Sequence, residues 1–436
     1  MSYVHQGRLF TFEDFVAEYD DNERLVSVLA ALPDEGLLFW LRQQRQGRRD
    51  DYPYEVLWRC LIAKFVYRIA SYAELIRELR RNGSLRRIVG IASLEAVPAD
   101  YHFSRLLKLL SNSEDLARLQ AMFDQMVSQL STELPELGRH LAVDATALHA
   151  YSNEMRKHKS DPDATWSARP KRQRRRQASG GAEEYLDYWF GYQVHLVVDT
   201  KSELPVAFEV TAANENETTR FEPLLEKLKK EHADFVSRTV AVIADAGYDS
   251  VSNCRYVLAD FKEGQRTLPI IKMRLTQKKA DRDKPFAATT SLCTELGTQL
   301  CDSGHKMVYA GRDGDYLKWR CPLICGKVSE CTAFGRCSAS AYGTVRKINI
   351  GEDPRRFPGL ARESKKWKRL YRKRAAVERV NARLKDFLLL DELTVRGMNK
   401  VTAHVSLGLL VMLAGARAML AAGKREDIRR VVRSAA

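Results

Sequence analysis

His140-Leu141-Ala142-Val143-Asp144-Ala145-Thr146 is the stretch at which the chain changes character. Before it, apolar residues recur at helical spacing, in Val56, Leu57, Cys60, Leu61 and Phe65 and again in Leu75, Ile76 and Leu79. After it, short apolar runs take over, with Tyr192 to Val198 and Leu204 to Val210 reading as strands and Leu204-Pro205 supplying a turn. Phe221, Leu224, Leu225 and Leu228 then fall on one helical face. Thr239 to Ala244 returns to strand, a helix is expected around Val251 to Phe261, and a further strand lies near Leu268 to Ile271.

Strand, strand, strand, helix, strand, helix, strand is the order of an α/β fold, an RNase H-like mixed sheet flanked by helices. The expected organisation is an all-helical domain over residues 1–135, a first part of the catalytic core over 136–272, a Cys-rich inserted subdomain over 273–342, and a second part of the core over 343–436. Asn82-Gly83 marks a turn between helices, and Pro98 with Asp100 opens another helix. The Arg-rich turns of the first domain (Arg77, Arg80, Arg81, Arg86, Arg87) suit phosphates, which makes it a DNA-binding candidate. Residues 156–176 read as a mobile basic loop.

The 436 residues carry 71 Lys and Arg against 56 Asp and Glu, a net charge of +15, which favours a polyanionic partner. Two segments hold most of that excess. Residues 156–176 contain nine Lys or Arg against two acids, and residues 361–379 repeat the same balance. The N-terminus lacks a charged start followed by an apolar segment, so a cytoplasmic location is expected. The most apolar stretch, between Lys400 and Arg417, runs 16 residues without a charge. That is short of the ~20 a bilayer needs, and it reads as a buried helix rather than a membrane span.

The second basic segment carries the chemistry. Leu370, Val377, Val380, Leu384 and Phe387 cluster on one side of a helix over 368–387, at about 100° per residue. On the other side Tyr371, Arg374, Glu378 and Lys385 project to roughly 0°, −60°, −20° and −40°, one narrow stripe. A solvated face alternates charge. Here a single acid, Glu378, sits among bases, in a field that attracts phosphate.

Two further acids close apolar runs: Asp144 in Leu-Ala-Val-Asp144-Ala-Thr146, and Asp245 in Ala-Val-Ile-Ala-Asp245-Ala-Gly247-Tyr248. Such an acid enters a cleft beyond a sheet edge or simply caps a turn, and each reading stands for each residue taken alone.

With these blocks assembled, the chain resembles the DDE transposases of bacterial insertion sequences, in the group with a Tyr-Arg-Glu-Lys signature. Tyr371, two residues, Arg374, three residues, Glu378, six residues and Lys385 reproduce the signature without a gap. Asp144-Ala-Thr146 and Asp245-Ala-Gly247-Tyr248 resemble the two Asp motifs, and Gly191-Tyr192-Gln193-Val194-His195 and Leu204-Pro205 through Ala213-Asn214 resemble the strands between them. Pro98-Ala-Asp-Tyr-His-Phe-Ser104 resembles the group's amino-terminal domain more weakly.

The resemblance implies that Asp144, Asp245 and Glu378 are catalytic carboxylates holding two Mg²⁺ ions ~4 Å apart, with Mn²⁺ as a substitute. Water would cut at the transposon end, and the freed 3′-OH would attack target DNA. Tyr371, Arg374 and Lys385 would grip the phosphates beside the scissile bond. The basic stretch, with Arg172, Arg174, Arg175 and Arg176, would add contacts to double-stranded DNA, and a homodimer would act on paired ends. Two rivals share the residues: an RNase H-like nuclease without strand transfer, and a domesticated, inactive DNA-binding protein.

Six of the eight cysteines fall within 45 residues. Cys321, Cys325, Cys331 and Cys337 offer a tetrahedral Zn²⁺ set, against the alternative of buried free thiols. Cys60 and Cys254 belong to apolar helical surroundings. His195 reads as a structural residue of its strand, and Trp189, Trp319 and Trp367 as packing.

Overall fold

Helical periodicity in the first part of the chain becomes, among the described residues, seven helices before the first strand. In the computed structural model, which describes residues 20–44, 52–152, 160–174, 182–286 and 292–430, these are α1 Asp20–Ala31, α2 Glu35–Gln43, α3 Tyr54–Val66, α4 Tyr72–Arg81, α5 Gly83–Val89, α6 Asp100–Leu110 and α7 Ser113–Glu133. Short polar side chains start several of them by accepting first-turn N–H groups: Ser71 from Glu74 at 3.2 Å, Asn82 from Leu85 at 2.9 Å, Asn112 from Asp115 at 2.9 Å. Arg86 donates to the carbonyls of Leu79 and Arg80, each at 2.7 Å, and so closes the C-terminus of α4. That cation, expected to face phosphate, holds a turn together.

The sheet is mixed. β1 His140–His149 lies at its centre, with β3 Ala182–Asp199 antiparallel on one side and β5 Ala241–Ala244 parallel on the other. β6 Leu268–Ile271 extends the parallel side, and β4 Pro205–Ala212 pairs antiparallel with β3. All four residues of β5 are buried, as an interior parallel strand requires. Ala241, Ile243 and Ile270 pack against Trp367 and Leu370, while Val242, Ala244 and Ile271 face the main core. Between the strands run α8 Glu217–Glu231, α9 Ala233–Val236 and α10 Val251–Arg255, the last continued by a single π-helical turn over Tyr256–Asp260.

Three expectations change. Much of the basic segment read as a loop is strand β2 Thr165–Arg174, paired with β3 from Thr165↔Gly191 to Arg174↔Ala182. Its charges mask a strand whose pairing comes from the partner rather than from its own apolar alternation. Residues 153–159 and 175–181, including Arg175 and Arg176, lie outside the described residues. Second, Asp144 does not end its strand: β1 continues to His149 against Gly191, and it is β5 that stops at this level. Third, the helix over 368–387 is two helices, α11 Lys365–Tyr371 and α12 Ala375–Phe387, joined by a tighter 3₁₀ turn at Arg372–Arg374.

The last helix, α13 Met398–Ala421, packs on α1, α3, α7 and β4. One apolar cluster therefore runs from Leu25 to Ala416, and the expected boundary near residue 135 is not a seam in the packing. α13 has the length and apolarity of a membrane crossing, yet it is mostly buried inside the protein. Within the insertion, β7 Val308–Asp313, β8 Tyr316–Arg320 and β9 Val345–Asn349 form a separate antiparallel sheet over Cys293, Cys301, Met307, Leu317, Trp319, Ile350 and Phe357. Its third strand lies beyond residue 342, because pairing with β8 rather than cysteine content sets the limit.

Glu203 fixes α12 to the sheet. It sits in the β3–β4 turn with φ of 57°, a left-handed conformation that costs a non-glycine residue energy, and is 4% exposed. Its carboxylate accepts from Arg379 at 2.6 and 2.8 Å and from Arg383 at 2.9 Å. Arg379 is largely exposed but Arg383 is not, so removing Glu203 leaves one mostly buried cation uncompensated. Glu203→Ala should therefore lower stability in urea unfolding by about 3 kcal/mol. A loss near zero would show that α12 is held by its apolar face alone.

Candidate active site

Parallel pairing of Val143 with Ala244 brings the next two residues, Asp144 on β1 and Asp245 just beyond the end of β5, close together. β5 ends there, and Asp245 turns into a 3₁₀ turn over Ala246–Tyr248 by accepting from the Gly247 N–H at 2.7 Å. The turn-capping reading of Asp245 thus holds. α12 lies across β1 and β3, and its Asn381 donates to Asp144 at 3.3 Å. Arg374, at the start of α12, places Nη1 3.8 Å from Asp144 Oδ1 and pairs through Nη2 with Glu378. Asp144, Asp245 and Glu378 are brought to one place from residues 234 positions apart in the chain.

Electrostatics mark the same spot. Burial first, then the nearby charges of Asp245, Glu217 and Glu378, push the Asp144 carboxyl up to about 7 against the opposing pull of Arg374. Glu217 is also pushed up to about 7, by burial and by Asp245. Tyr248, 1% exposed, is raised by burial and by Glu217, Asp144 and Asp245. A concentration of acid in a partly buried cleft is characteristic of functional sites.

Glu217 and Asn381 escaped the reading of the sequence, and Tyr248 was read only as part of the second Asp motif. Glu217 looks like the ordinary acid of a helix's first turn behind the Asn216 cap, and its 28-residue separation from Asp245 conceals the contact. A cavity of about 190 Å³ opens beside these acids, lined in part by Thr146, Arg169, Trp189, Gln193, Glu217 and Arg274.

The other expected residues fall as follows. Tyr371 stacks on Trp367, with ring centres 5.1 Å apart, at the end of α11. Lys385 donates to the Ala147 carbonyl at 2.8 Å and pairs with Asp391 at 3.0 Å, which makes it a brace between α12 and β1. Arg172 and Arg174 lie on β2. His195 is buried against Thr211 at 2.9 Å, and burial lowers it to about 4, so it stays neutral at physiological pH. Cys321 is buried, Cys325, Cys331 and Cys337 are half-buried, and all eight cysteines are free thiols. Among the described residues no three His, Cys, Asp or Glu side chains gather closely enough to hold an ion as they stand, the cysteines included.

The carboxylates nonetheless suit a hard divalent cation in kind. Their donors are oxygens, and a dication would stabilise the charged form of Asp144 that burial and, after it, the neighbouring acids disfavour. Asp144, Asp245 and Glu378 are the residues that would hold it, with Arg374 already spanning two of them as a cation.

A model of the transposase DDE domain matches residues 135–414, and one of a transposase domain of the DUF772 type matches residues 12–112. No curated protein matches the chain. Among solved structures, a piggyBac transposase synaptic complex with hairpin DNA aligns over 95% of this chain and 79% of its own, at 11% identity and a TM-score of 0.39.

The raised Asp144 has a consequence for stability. A native carboxyl that keeps its proton up to about 7, where the unfolded one releases it near 4, makes the folded chain less stable as pH rises through that window. Asp144→Asn, uncharged throughout, should raise the Tm in chelator at pH 8 and change it little at pH 4. An equal shift at both values would refute this cause.

Proposed function

The chain belongs to the transposase family with a DDE domain, and from that premise we propose that it cleaves DNA at insertion-sequence ends and joins the freed 3′-OH to target DNA. The observation that carries this reading is the register of β1 against β5, which sets Asp144 beside Asp245, with α12 bringing Glu378 over them through Arg374. Within the family, the match of Tyr371, Arg374, Glu378 and Lys385 to the Tyr-Arg-Glu-Lys signature supports membership of that group. The order β4, β3, β1, β5, β6, three antiparallel strands followed by two parallel ones, supports an RNase H-like core.

Bound Mg²⁺ or Mn²⁺ would activate the attacking oxygen and stabilise the leaving one. The protein's own part is placement. Asp144 and Asp245 are fixed by the sheet, and Glu378, half-exposed, reaches in from α12. Arg374, with a planar fork suited to phosphate, is placed to take the scissile phosphate when the carboxylates no longer need it as a counter-charge. Lys365, Lys366, Lys368, Arg369 and Arg372 line a groove on α11 without an acid among them, which suits the duplex backbone. The working form is a homodimer on paired DNA ends in the cytoplasm.

A cleavage and joining assay on the DNA flanking the gene tests the reading. Asp144→Ala, Asp245→Ala and Glu378→Ala should each reduce Mg²⁺-dependent cleavage to background while end binding persists. Products that are cut but never joined would instead indicate a nuclease.

Arg374→Ala should lower the rate at saturating DNA by ~100-fold, more than it lowers affinity, because misplacing the attacked phosphate costs rate. Arg374→Lys should restore only part of it, since a point charge cannot reproduce the fork. Poor binding with normal turnover would make Arg374 an ordinary docking residue.

A further inference from the structure

We propose that Glu217 is a fourth carboxylate of this site and shares a divalent cation with Asp245. This rests on the metal-dependent reading above and extends it to a residue outside the signature blocks.

The case begins with Gly247. A Cβ placed there would lie 2.3 Å from Glu217 Oε2 and 2.9 Å from Asp245 Oδ1. Both oxygens therefore border the same point and cannot be more than about 5.2 Å apart. Oxygens sharing one Mg²⁺ sit ~3–4 Å apart, given ligand distances of about 2.1 Å, so a small side-chain rotation suffices.

The placement of Glu217 is built rather than incidental. Asn216 starts α8 by accepting from Thr218 N–H at 3.0 Å. The Thr218 hydroxyl donates to the Gly247 carbonyl at 2.7 Å, and Asn253 donates to the carbonyls of Thr218 and Tyr248 at 3.1 and 3.0 Å. The start of α8 is thus tied to the turn that follows Asp245.

An independent observation points to a missing partner. The Tyr248 hydroxyl is buried, with no hydrogen bond, and lies within the influence of Glu217, Asp144 and Asp245. A buried hydroxyl without a partner is costly and calls for an explanation, for which the water of a hydrated cation is suited.

A purely structural ion pair explains Glu217 less well. Arg274 donates to the carbonyls of Ala246 and Gly247 at 2.5 and 3.0 Å, and Arg169 faces Asp187 at 3.8 Å and the Trp189 ring. Both arginines pull the Glu217 carboxyl down against burial and Asp245, but among the described residues no hydrogen bond or ion pair is formed with it.

The test is Mn²⁺ binding by calorimetry to the full-length chain, alongside Asp144→Asn, Asp245→Asn, Glu217→Gln and Gly247→Ala. We expect Glu217→Gln to weaken Mn²⁺ by ten-fold or more and to shrink the Tm gain on Mn²⁺ addition, with the Tm in chelator undiminished. Gly247→Ala, which keeps every acid but crowds the oxygens of both Glu217 and Asp245, should weaken Mn²⁺ in the same direction. If Asp144→Asn and Asp245→Asn lose Mn²⁺ while Glu217→Gln binds as wild type, Glu217 is not a ligand and the three-carboxylate reading survives. A Glu217→Gln chain that loses Tm in chelator but keeps its Mn²⁺ affinity overturns the proposal in favour of a structural role. If the wild-type chain binds no Mn²⁺, or both Asp variants bind it unchanged, the metal-dependent reading falls and this inference with it.

Discussion

The pairing of β1 with β5 is the constraint on which the site depends. Four parallel pairs, from His140↔Ala241 to Val143↔Ala244, place two acids from distant segments close together, one on β1 and one just beyond the end of β5. A slip of one residue would turn a strand's side chains to the opposite face and separate the carboxylates. The register is protected because β5 is buried on both faces, so every shift would exchange packed side chains. The sheet thereby specifies an arrangement that is electrostatically unfavourable in itself, since it crowds acids together.

That crowding is offset by cations of the protein. Arg374 spans Asp144 and Glu378, and Arg379 and Arg383, farther along the same helix, are held by Glu203 in the β3–β4 turn. One helix thus carries both the third acid and the bases that fix its orientation. Lys385 ties its far end to the backbone of β1. α12 is held at three levels, which leaves the half-exposed Glu378 side chain as the adjustable member of the acid set.

The helical first part is mechanically joined to this arrangement. α13, arriving from the C-terminal side of the sheet, buries its surface among α1, α3 and α7, so the N-terminal helices and the sheet share one core. Close-packed interiors transmit strain rather than absorb it.

Much of this was legible along the chain. Asp144 and Asp245 announce themselves by closing apolar runs, and Glu378 by standing alone among bases, since these are local patterns of hydrophobicity and charge. The strand and helix order between residues 182 and 271 followed from periodicity for the same reason. What periodicity could not supply was anything set by a distant partner. β2 is a strand because β3 lies beside it, α13 belongs with the first helices because its apolar surface fits there, and the cysteines of the insertion are not drawn together as spacing suggested. Glu217 is the plainest case: by sequence it is one more acid in a helix's first turn, and only the path of α8 over the turn after Asp245 brings it to the site. Sequence determined which residues are candidates for the chemistry, because side-chain type and local period are written in it. Tertiary structure decided which of them meet, because proximity across tens or hundreds of residues is a property of packing and strand register.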